Sequence, residues 1–101
     1  MTYRFLSTLS TDVHEHLEET VVEMVHLFGI SEAEAVARIN AAWSGSDFLE
    51  SSKLVLHEDP HYWAIFLYYG GNVPDWSDTA DRSSWKPVDP PVDARFWTDL
   101  S

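Results

Sequence analysis

The stretch that most invites a chemical reading is His57-Glu58-Asp59-Pro60-His61. Its letters fit H-E-x-x-H, in which two His four apart on one helix face bind zinc while the Glu polarises a water for hydrolysis. Here Pro60 stands in the fourth position. Inside a helix, proline removes a backbone hydrogen bond and clashes with the preceding turn. It also pushes the residue before it into extended geometry. A helix must therefore begin at this point instead of running through it, and the two His do not stack on one face. No extended motif with a third ligand follows. The expected arrangement is a strand-to-helix junction capped by Asp59. A metal-dependent hydrolase using His57, Glu58 and His61 stands as the alternative.

The other chemistry-bearing groups are less specific. His14, His16 and His26 lie among Glu15, Glu18, Glu19 and Glu23. His14 and His16 are two apart and point to different sides of a helix. A catalytic zinc usually takes three protein ligands, and one helix supplies two at most. Solvated histidines on an acidic face are expected, with no metal and no cofactor. Cys is absent, so there is no thiolate site, disulfide or Cys nucleophile. No G-x-S-x-G elbow, phosphate-cradling loop or dinucleotide fingerprint occurs. Asp75, Asp78 and Asp81 are spaced by three, and they lack the alternating oxygens and distal Glu of a calcium loop. These features favour a binder over an enzyme.

Binding residues are easier to nominate. Glu15, Glu19 and Glu23 form a ladder at four-residue spacing with no base interleaved. Like charges so placed oppose each other along one helix face. The plain reading is a solubilising surface. The sharper one is a face shaped for a basic partner, since clustered carboxylates speed association with a basic surface. Asp75, Trp76 and Asp78 combine acids with an aromatic anchor, a mixture that suits an interface.

These groups need elements to position them. Ser10 or Thr11 caps a helix over 12–28, and Asp12 favours its first turn. Val13, Leu17, Val21, Met24, Val25 and Phe28 make its apolar stripe, and Gly29 ends it. Ser31 and Glu34 form a capping box for a second helix over 31–43. Its expected buried side is Ala35, Val36, Ile39, Ala42 and Trp43, with Glu34 and Arg38 paired four apart. Two helices so briefly linked make a hairpin. Short strands are possible over 2–9 and 53–57. Residues 60–69 start on Asp59-Pro60 and stop on Gly70-Gly71, which points to a short aromatic helix. A β-hairpin over 53–69 is the alternative, because periodicity alone does not settle so short an apolar run. Residues 72–101 hold four of the five prolines, six Asp and three Trp. Pro87, Pro90 and Pro91 exclude a long helix there. An irregular segment pinned by its rings is expected.

The fold expected is thus mainly α, with α+β as the variant. It is one domain over 1–101: a helical hairpin and an aromatic helix, wrapped by the Trp- and Pro-rich C-terminal segment. The chain has 101 residues, 45% apolar, and a formal charge of −11 from 17 acids and 6 bases. The surplus is not one tail. Residues 1–30 carry 5 acids and 1 base, 31–59 carry 6 and 2, and 60–101 carry 6 and 3. Such a surface argues against direct binding of a phosphate backbone. No apolar run reaches a membrane span and no signal peptide opens the chain, so a cytoplasmic protein is expected. The expected function is a small acidic, non-enzymatic protein that binds a basic protein, such as one with a nucleic-acid-binding cleft. In size and charge it resembles bacterial toxin-immunity proteins and phage-encoded inhibitors, a likeness of type and not of motif. A structural homodimer joined through 62–69 is a further alternative, because a helix apolar on every side needs cover.

Overall fold

The computed structural model describes residues 5, 11–43, 54–71, 73–74, 76 and 79–98. Their elements are three α-helices, α1 (Thr11–Phe28), α2 (Glu32–Trp43) and α3 (Pro60–Tyr68), and two 3-10 turns at Leu54–His57 and Ala94–Phe96. The architecture is mainly α. Among the described residues there is no strand.

The helical hairpin forms as its punctuation dictates. Val13, Leu17, Val21 and Met24 are buried, with Val25 and Phe28 partly covered. Thr20 joins this stripe, and its hydroxyl donates to the His16 carbonyl at 2.9 Å, so that hydroxyl is not stranded in the core. Gly29 takes a positive φ of 67° and closes α1 by donating its N–H to the Val25 carbonyl. Ser31 Oγ then accepts from Glu34 N–H at 3.0 Å and caps α2. The Glu34 carboxylate turns to Arg38.

Two expectations for this region are corrected. The possible strand at 53–57 is instead a 3-10 turn over Leu54–His57, and the β-hairpin over 53–69 does not form. Asp59 and Pro60 decide this. Asp59 Oδ1 accepts from Tyr62 N–H at 2.7 Å, and Pro60 stands in the first turn, where its missing N–H costs nothing. Once α3 is helical, 54–57 has no strand to pair with. Ala42, expected on the buried side of α2, is exposed. The strand considered over 2–9 lies outside the described residues, apart from the buried Phe5.

The core lies between α1 and α3, the most extensive helix pair, with α2 against both. α3 brings Trp63, Ala64, Ile65 and Leu67 into it. Tyr62, Phe66 and Tyr68 are covered in part by Trp76 and Phe28, which stack on the two tyrosines. The chain thus covers α3 itself. α3 ends in a Schellman turn: Gly71 N–H reaches the Phe66 carbonyl at 2.9 Å, with Gly70 at φ 64°.

Six consecutive α2 residues, 35 to 40, are buried, including Arg38 and Asn40. A helix exposed on one side does not show such a run. The C-terminal segment lies against this helix, where Arg38 and Asn40 donate to Val88, Phe96 and Thr98.

Candidate acidic site

The carboxylate ladder and the junction before α3 meet. Glu19 and Glu23 on α1, with Val22 between them, line a shallow cavity of about 430 Å³ whose other wall is Asp59, Pro60 and His61. Glu15 lies one turn earlier on α1 and is exposed. Val22 is 62% exposed, a large aliphatic side chain left open to solvent among acids.

Two histidines tie the walls together. The His16 ring donates through Nε2 to the Glu58 carbonyl at 2.6 Å, 42 residues away. His61 Nδ1 stands 3.4 Å from Glu23 Oε2, with both side chains partly exposed. Asp59 is held in its capping role by the Tyr62 amide, so its carboxylate has a fixed position at the rim. The five residues His57 to His61 thus work as a junction. His61 faces α1, and the exposed His57 ends the preceding turn. Among the described residues, no group of three His, Asp or Glu side chains is placed to hold a metal ion.

The nominated residues divide. Glu19 and Glu23 are brought together, and Asp59 and His61 join them, which spacing along the chain did not reveal. Trp76 is 47% exposed and stacks on Tyr62, with ring centroids 4.5 Å apart and planes 11° apart. Its described contact is therefore with α3. Asp75 and Asp78 lie outside the described residues.

Chemically, the arrangement offers carboxylates around an aliphatic centre. That suits a cationic side chain, whose stem can lie on Val22 while its head reaches the rim. Among the described residues no helix is long and apolar enough to cross a membrane. Compared with known protein families, curated proteins and solved structures, the chain matches none.

Proposed function

We propose that this chain is a non-enzymatic, cytoplasmic binding protein of the immunity or inhibitor type, which docks its acidic concavity onto the basic surface of a partner protein. The convergence of Glu19, Glu23 and Asp59 around the exposed Val22 carries this reading. Interfaces commonly place an apolar centre within a polar rim. The site has that plan in miniature, with the rim of one sign. Glu15 extends the field along α1, and Trp76 is the exposed aromatic available for a further contact. The overall −11 charge adds long-range attraction that salt weakens.

The test separates the site from the general charge. The partner is isolated on the wild-type chain, and its association rate is then measured for two variants of equal net charge. Glu19→Gln/Glu23→Gln should slow association about tenfold at low salt, through loss of local steering. Asp81→Asn/Asp89→Asn should leave it within about twofold of wild type. Equal slowing by both pairs would assign the attraction to diffuse charge and remove the site.

A further inference from the structure

We infer that residues 86–98 form a strap that docks and undocks as a unit over the cleft between α2 and α3, while the three helices stay folded. From Pro91 to Trp97 the strap holds itself together. Asp93 accepts from Arg95 N–H through its side chain and from Phe96 N–H through its carbonyl. Trp97 N–H reaches the Ala94 carbonyl, and its indole N–H reaches the Pro91 carbonyl at 2.8 Å. These bonds lie within the segment and survive its displacement.

Its attachment to the helices is of another kind. Val88 N–H donates to the Tyr68 carbonyl at 2.9 Å. From α2, Arg38 Nη1 donates to the Val88 carbonyl at 2.6 Å, and Asn40 Nδ2 reaches the Phe96 carbonyl at 3.0 Å and Thr98 Oγ1 at 3.3 Å. Arg38 is only 7% exposed. Its bonds to Glu34 and its place over the Tyr68 ring do not involve the strap. Water can replace the carbonyls that Arg38 and Asn40 lose, so breaking this latch strands no donor. No side chain of the strap is fully buried: Val88 and Val92 are exposed, and Pro91, Phe96 and Trp97 are only partly covered.

Below the strap is unfilled space. A cleft of about 400 Å³ runs between Ala41, Ala42 and Trp43 on α2 and Phe66 and Leu67 on α3, with Val88 and Pro91 forming its outer edge. Segments with few buried apolar contacts open at lower free energy than the core. Undocking turns this cleft into an open aromatic groove.

One glycine gives a sharp handle. A Cβ at Gly70 would run into Val88 Cγ2, whereas a Cβ at Gly29 would meet nothing within 4 Å. Both glycines have positive φ, 64° and 67°, so alanine strains the two backbones alike. Only at Gly70 does it also push on the strap.

Hydrogen exchange of the full chain reads the outcome. Gly70→Ala should speed exchange of the Val88 amide by about tenfold or more, with the α1 amides at their wild-type rates. Gly29→Ala should not change the Val88 amide relative to α1. Adding Val88→Ala to Gly70→Ala should return the residue 88 amide to the rate in Val88→Ala alone. Asn40→Ala tests the latch from the other end and should speed the Val88 amide, whose partner is the Tyr68 carbonyl across the cleft, with α1 unchanged. If Gly70→Ala and Asn40→Ala accelerate the strap and α1 amides together, the segment is part of the global fold and the inference fails. Equal effects of Gly70→Ala and Gly29→Ala on the Val88 amide would also overturn it.

Discussion

At the residue scale, the informative side chains are polar groups and rings whose surroundings were set by distant parts of the chain. Glu34 and Arg38 were legible as a helical pair from their spacing. The burial of Arg38 was not, because the strap that covers it arrives from 50 residues later. Tyr69 is a similar case. It sits at the end of α3, edge-on to Trp85, and is buried. Burial pushes its phenol above the ordinary tyrosine value; nearby Arg82 opposes this and Tyr68 adds to it. The folded chain thus holds this proton more tightly than the unfolded one. The stabilisation is complete below the unfolded value and is lost as pH rises through the folded one. Thermal stability should therefore fall on the alkaline side of pH ~10. Tyr69→Phe should flatten that fall in a series of melts against pH. An unchanged alkaline slope in the variant would show that another group is responsible.

At the element scale, the helices were readable wherever a residue with one physical role stood at their ends. Gly29 closes α1, Ser31 opens α2, and Asp59 with Pro60 opens α3. The same logic failed over 54–57, which carries no such marker and is too short for a period to declare itself. Over 79–98 the prolines correctly excluded a long helix, without saying where the chain goes. The acidic ladder was legible because four-residue spacing fixes a helix face. Its meeting with Asp59 and His61 was not, since that depends on how α3 packs on α1. Asp59 links the two levels, as it both caps α3 and lines the cavity. Asp59→Ala should cost about 1 kcal/mol by loss of the cap. Urea unfolding measures this, and an unchanged midpoint would contradict the capping role.

At the scale of the whole molecule, two features with different origins share one small body. The core is mainly aliphatic, with Trp63 of α3 set among side chains of α1 and α2, and the other α3 rings are covered in part by Phe28 of α1 and by Trp76. The surface is acidic along the whole sequence, yet in one place the carboxylates are held around an open aliphatic side chain. The strap stands apart from that place, over the α2–α3 cleft. The central claim is that the acidic surface exists for a basic protein. Native mass spectrometry of the chain, isolated gently from its own cells, tests this most directly. The expected result is a complex with one basic protein that dissociates as ionic strength is raised. A bare chain, a homodimer, or a chain carrying stoichiometric zinc would contradict it.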